Sequence, residues 1–165
     1  MKGTAARSAP ADQLKNSAKD RAENLMIVDL LRNDLGRIAE HGSVAVDRLF
    51  DIEAYPTVWQ MVSEVSANVG QRSFGEILNA LFPCGSITGA PKIRAMQIAA
   101  ELETGKRGIY TGALGWLAPH EDFRLNVAIR TLALGADGHG QLGVGSGVVA
   151  DSEASAEWAE CLLKG

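Results

Sequence analysis

Two pairs of acidic residues stand three positions apart in stretches with helical patterning, Asp20 with Glu23 and Glu157 with Glu160. At 3.6 residues per turn each pair shares one helix face, so each face presents two carboxylates. With the two helices side by side, four carboxylates would converge and repel one another unless a hard divalent cation such as Mg²⁺ filled the gap and held an anionic substrate. A solvated acidic face has the same spacing, and spacing alone leaves both readings open. A glycine run, Gly143-Val144-Gly145-Ser146-Gly147, follows an alternating segment. Its backbone N–H groups, unobstructed by side chains, could cradle a carboxylate, although a glycine-rich strand or bulge reads the same way. Arg130, within Ala128-Ile129-Arg130-Thr131, brings a guanidinium that needs an anionic partner, from protein or ligand, if it points inward.

Other candidates are weaker. The segment Gly85-Ser86-Ile87-Thr88-Gly89-Ala90-Pro91-Lys92 has the wrong glycine spacing for a phosphate loop, and Pro91 precedes its lysine, which excludes nucleotide binding of that kind. It can still be a tight helix entry or a place where an anion meets free N–H groups. His41, His120 and His139 are too scattered for a histidine metal site. On its residues alone, Lys2 reads as a solvated terminal lysine.

The elements that must carry these residues follow from periodicity and punctuation. Apolar spacing predicts a helix over 17–35 with Gly36 as its stop, preceded by an extended arm over 1–16 containing Pro10. Strands are expected over 43–50 and, from strict alternation, 59–69. A short helix follows over 74–81. Pro91 then suits the first position of a second helix running to about Glu103. Segments 110–118, 123–134 and 141–149 resemble an antiparallel meander, and Asp151 or Ser152 could cap a last helix from Glu153. Helices with antiparallel strands indicate an α+β domain.

A chain of 165 residues, 46% hydrophobic and 22% charged, can build one folded core. Sixteen basic against twenty acidic residues, net charge -4, lack the basic clusters that nucleic-acid binding needs. No apolar run approaches the roughly 18 residues of a membrane span and no apolar signal segment is present, so neither a membrane nor secretion is expected and the location expected is cytoplasmic. Cys84 and Cys161 are too few for a zinc set or a disulfide framework and are read as reduced.

The strings AKDRAENLMIVDLLRNDLGRIA, PCGSITGAPKIRAMQIAAELE, GALGW, AIRTL and GSGVVADS, in this order, resemble the chorismate-binding domain shared by anthranilate synthase large subunits, aminodeoxychorismate synthase component I and isochorismate synthases. The resemblance spans nearly the whole chain and implies the anthranilate synthase component I-like fold, antiparallel sheets with packed helices. It implies that Glu23 and Glu160 hold Mg²⁺ with Asp20 and Glu157 supporting, and that Arg130 with Gly145, Ser146 and Gly147 meets the substrate carboxylates. Gly3, Thr4 and Tyr110 fall on further chorismate-contacting positions.

Within the family, Met1-Lys2-Gly3-Thr4 sides with members making 4-amino-4-deoxychorismate for para-aminobenzoate and folate, in which the lysine acts as a nucleophile; anthranilate synthases usually carry alanine there. The resemblance thus implies chorismate as substrate and a glutamine amidotransferase subunit supplying ammonia. Anthranilate synthesis, isochorismate synthesis and a fragment that only binds are the alternatives. Gln60 stands where relatives often have a histidine implicated in leaving-group chemistry, a role glutamine cannot fill as a proton donor. The family's fold usually has a long segment ahead of the lysine motif, so residues 1–165 are expected to be a partial chorismate-binding domain, with exposed apolar surface and oligomer formation where the absent half would pack.

Overall fold

Ser17 separates two helices: its extended backbone breaks the run, and its hydroxyl accepts the Asp20 backbone N–H as an N-cap. The computed structural model describes residues 5–56, 58–149 and 152–165. Ahead of Ser17, Ala5–Asn16 is helix α1, so the segment expected as an extended arm is helical where described. Alanines carry the highest helix propensity, and the helix accommodates the missing donor of Pro10. Behind Ser17, α2 spans Ala18–Gly36; Gly36 is its last residue and Arg37 the C-cap, so the glycine is not the stop that its type suggested.

The chain divides into two units, 1–86 and 87–165. In the first, strands β1 (Ala45–Ala54) and β2 (Trp59–Ser66) form an antiparallel hairpin. The register shifts between Val46 and Arg48 and again between Arg48 and Asp51, so β1 carries the extra residues while β2 runs regularly. Phe50 lies in the second bulge with φ 59°. For a residue with a β-carbon this left-handed conformation costs about 1–2 kcal/mol. Both strands deviate from expectation, β1 running later and β2 ending earlier, because the bulges let β1 extend past Phe50 and pairing stops at Ser66. Arg48 spans the outer face, reaching Asp51 at 2.7 Å and Glu53 at 2.9 Å. α3, Phe74–Leu81, begins with a capping box in which Ser73 and Glu76 satisfy each other's backbone N–H groups. Val28, Leu35 and Ala80 are the buried apolar side chains of this unit among the described residues.

The tight entry at 85–88 is a single helical turn, α4 (Gly85–Thr88). In the second unit α5 runs Lys92–Leu102 with Pro91 as its N-cap rather than its first helical residue. The expected three-stranded meander is instead two separate hairpins: β3 (Ala113–Leu117) pairs with β4 (Phe123–Val127), and β5 (Leu132–Leu134) with β6 (Gly140–Leu142). The break falls at Arg130, whose φ of 51° cannot continue a strand. Segment 143–149 is neither helix nor strand. α6, Ala154–Lys164, starts after Glu153, and Ser152, expected as its cap, instead donates its hydroxyl to Glu157 at 2.8 Å. Asp151, the other candidate cap, lies outside the described residues.

Apolar side chains are left in solvent throughout both units. Trp116 is 50% exposed, Leu134 73% and Leu163 89%, while in the second unit only Ala128 is a buried apolar residue among those described. Two-stranded ribbons with open apolar faces are marginal alone and gain stability when a further layer covers them.

Candidate functional site

A turn holds Tyr110 in the second unit. Thr111 donates its backbone N–H to Ala128 and Gly112 accepts from Ala128, both at 2.9 Å, which stitches this turn to the segment leading into Arg130. The Thr111 hydroxyl donates to the Tyr110 carbonyl at 2.6 Å and accepts from Arg107 at 3.1 Å. Arg107 is in turn held by Glu103, whose carboxyl it keeps below the usual carboxylate range by direct hydrogen bonding. Glu103, Arg107 and Thr111, none of them a site candidate from the sequence, form the base of the Tyr110 turn; the spacing of Arg107 four residues after Glu103 was the available signal.

Tyr110 lies against the glycine run. A β-carbon on Gly143 would overlap its ring, and one on Gly145 would stand 2.6 Å from its hydroxyl oxygen. The two glycines are therefore required by the aromatic ring, and the run is not a strand. Among the described residues no protein group accepts from the backbone N–H groups of Gly145, Ser146 or Gly147. Gly145 and Ser146 are half-buried and Gly147 is exposed. Arg130 is exposed and its guanidinium has no protein partner among the described residues.

Lys164 joins this loop to the acidic helix. Its ammonium meets the Glu160 carboxylate at 2.5 Å and donates to the Gly145 carbonyl at 3.1 Å. The lysine was not singled out from the sequence, though its place four residues after Glu160 on one helix face was a usable signal. Tyr110, Gly145, Lys164 and Glu160 thus form one contiguous chain of contacts. On the same helix Glu157 accepts from Ser152.

The other acidic pair lies on α2 in the first unit. Glu23 is more than half exposed, with Lys19 3.9 Å away. Asp20, half-buried in the first helical turn, also complements the positive end of the helix. Among the described residues no three acidic, histidine or cysteine side chains gather as a metal-ligand group. Each helix supplies an all-oxygen pair, the donor chemistry that suits a hard cation. Gln60 is exposed on β2 opposite Glu53. Lys2, Gly3 and Thr4 lie outside the described residues. Among the described residues no helix is long and apolar enough to cross a membrane.

The second unit thus sets Tyr110 against the glycine run, with Arg130 exposed in the same unit. The profile of the chorismate binding enzyme family matches residues 1–165, and the chain belongs to that family. It is 48% identical over 172 residues to aminodeoxychorismate synthase component 1 of Klebsiella aerogenes, covering 99% of this chain and 38% of that one. It is 46% identical over 172 residues to the chloroplastic aminodeoxychorismate synthase of Arabidopsis thaliana, covering 99% of this chain and 19% of that one. The crystal structure of anthranilate synthase component I from Streptococcus pneumoniae superposes with a TM-score of 0.84 at 38% identity, over 97% of this chain and 37% of that chain. The chain therefore spans well under half the length of each.

Proposed function

We propose that this chain forms part of an aminodeoxychorismate synthase, the enzyme that turns chorismate and ammonia into 4-amino-4-deoxychorismate for para-aminobenzoate and folate synthesis. The observation that carries the reading is the fit of Tyr110 to Gly143 and Gly145, beside three backbone donors at Gly145, Ser146 and Gly147 that no group among the described residues accepts from. Chorismate carries two carboxylates, and this cradle with Arg130 supplies donors of the right kind. Similarity to the Klebsiella and Arabidopsis synthases supports the choice of reaction within the family.

Glu23 and Glu160 would hold Mg²⁺, with Asp20 and Glu157 supporting them, and the carboxylate donor set fits that ion. Bound there, the ion would neutralise a substrate carboxylate and assist departure of a hydroxyl. Lys164 balances the charge of Glu160 and ties it to the glycine loop. Lys2 is assigned the nucleophile: its amine attacks the ring as the hydroxyl leaves and is then displaced by ammonia. Gly3 and Thr4 would contact the substrate beside it. A glutamine amidotransferase subunit would supply the ammonia, and the chemistry is of the transferase or lyase kind. A cytoplasmic location is proposed, the Arabidopsis relative being named as chloroplastic. The open apolar faces of Trp116, Leu134 and Leu163 support association with further protein, a second copy included.

Product analysis after incubation with chorismate, Mg²⁺ and ammonium tests the reading. Aminodeoxychorismate that disappears in Lys2→Ala supports it. Formation of anthranilate, the product named by the Streptococcus structure, would replace it, as would isochorismate, and aminodeoxychorismate undiminished in Lys2→Ala would refute the role of the lysine.

A further inference from the structure

The bulge in β1 leaves the Phe50 backbone N–H without a ladder partner, and a side chain from β2 takes it: the Ser63 hydroxyl accepts this N–H at 3.1 Å. The same hydroxyl donates to Asn24 Oδ1 on α2 at 2.6 Å. One oxygen thus closes the defect in the hairpin and grips the helix. A second contact lies one helical turn earlier, where the Arg21 guanidinium sits 4.8 Å over the Phe50 ring. Arg21 and Asn24, three residues apart, share one face of α2 and both clamp the bulge.

Two contacts on one face, a turn apart, act with the buried Val28 and Leu35 to hold how the helix is rolled about its axis. Asp20 and Glu23 occupy the stripe displaced by one residue, about 100° around the helix. Among the described residues Glu23 has the distant Lys19 beside it, and the clamp on the neighbouring stripe contributes to the direction of both carboxylates. The strained φ of Phe50 belongs to the same device, because it is this conformation that turns its N–H to Ser63 and its ring under Arg21.

We propose that Ser63 and Asn24 are positioning residues for Glu23, holding its carboxylate at the angle from which it reaches a divalent cation; this rests on the assignment of Glu23 as a metal ligand. Ser63 touches neither cation nor substrate and acts through the helix.

The test uses the full chain and Mn²⁺ alone as the probe, its affinity read by electron paramagnetic resonance alongside thermal unfolding. Ser63→Ala and Asn24→Ala should each weaken Mn²⁺ binding by about tenfold, the usual effect of losing a group that orients a ligand. Ser63→Thr, which keeps the hydroxyl, should restore it. Ser43→Ala is the control for a merely structural loss: Ser43 also bridges the hairpin unit, between the Glu40 and Asn68 backbones, and its variant should lose thermal stability while binding Mn²⁺ normally. Affinity unchanged in Ser63→Ala and Asn24→Ala, with Glu23→Gln weakened, overturns the positioning role alone. Wild-type chain that binds no Mn²⁺, or Glu23→Gln that binds as wild type, overturns the metal assignment and the positioning role with it. Should Ser63→Ala not fold, Asn24→Ala and Ser63→Thr decide the matter by the same readout.

Discussion

The Lys164 ammonium meets the Glu160 carboxylate at 2.5 Å while donating to the glycine loop. The cation proposed for Glu160 would have to compete with this lysine. An ion pair this exposed is worth about 0.2–1 kcal/mol, equivalent to at most about fivefold in affinity. Lys164→Met is therefore expected to strengthen Mn²⁺ binding by up to that factor and to loosen the glycine loop. Weaker metal binding in this variant would show that the lysine supports the cation site instead of occupying it.

Gly143 has no room for a side chain against Tyr110. Gly143→Ala should destabilise the chain by about 1–3 kcal/mol through overpacking, and Tyr110→Ala in the same chain should recover most of that loss. Urea unfolding of the two single variants and the double variant measures the coupling. Additive effects would mean that ring and loop do not touch.

Arg130 combines a left-handed backbone with an exposed guanidinium. Arg130→Gly removes the strain of a β-carbon at φ 51° and should raise stability by about 1 kcal/mol. The same change should abolish chorismate binding, while Arg130→Ala abolishes binding without the gain. Retention of binding in either variant would remove Arg130 from the site.

The Glu76 carboxyl is held down to about 2 from an ordinary 4.5 by the Ser73 backbone N–H, then by Arg72 and the Ser73 hydroxyl. A lowered folded-state value means that the stabilisation is complete above about 4.5, the unfolded value, and is lost as pH falls toward 2. Glu76→Gln should lower thermal stability above about 4.5, where the carboxylate's contribution is complete, and flatten the fall over that window. A profile unchanged between the two would show that the capping box does not titrate with folding.

Much of this architecture was legible in the residues, because local physics decides it. Phe74–Leu81 lies between a Ser73-Glu76 capping box and Pro83, and the structure keeps those limits. Four-residue spacing likewise bound Glu160 to Lys164, although only the first was singled out. The failures are places where geometry beyond one segment prevails. The run 123–134 reads as a continuous strand, yet the backbone turn at Arg130 splits it, and nothing in the types Ala128-Ile129-Arg130-Thr131 announces a positive φ. The bulge at Phe50 was equally silent, since it depends on Ser63 and Asn24 from other elements. Glycines 143 and 145 were visible as types, but only the ring of Tyr110 explains them. Lys2 drew its role wholly from resemblance and lies outside the described residues.

Calorimetric titration of chorismate into the purified chain, with and without Mg²⁺, tests the central assignment most directly. Saturable binding that requires Mg²⁺, and that is lost in both Arg130→Ala and Glu160→Gln, is the expected result. Binding that is indifferent to Mg²⁺ and to both substitutions, or no binding at all, would contradict the assignment of the glycine loop, Arg130 and the acidic helices to a chorismate site in this chain.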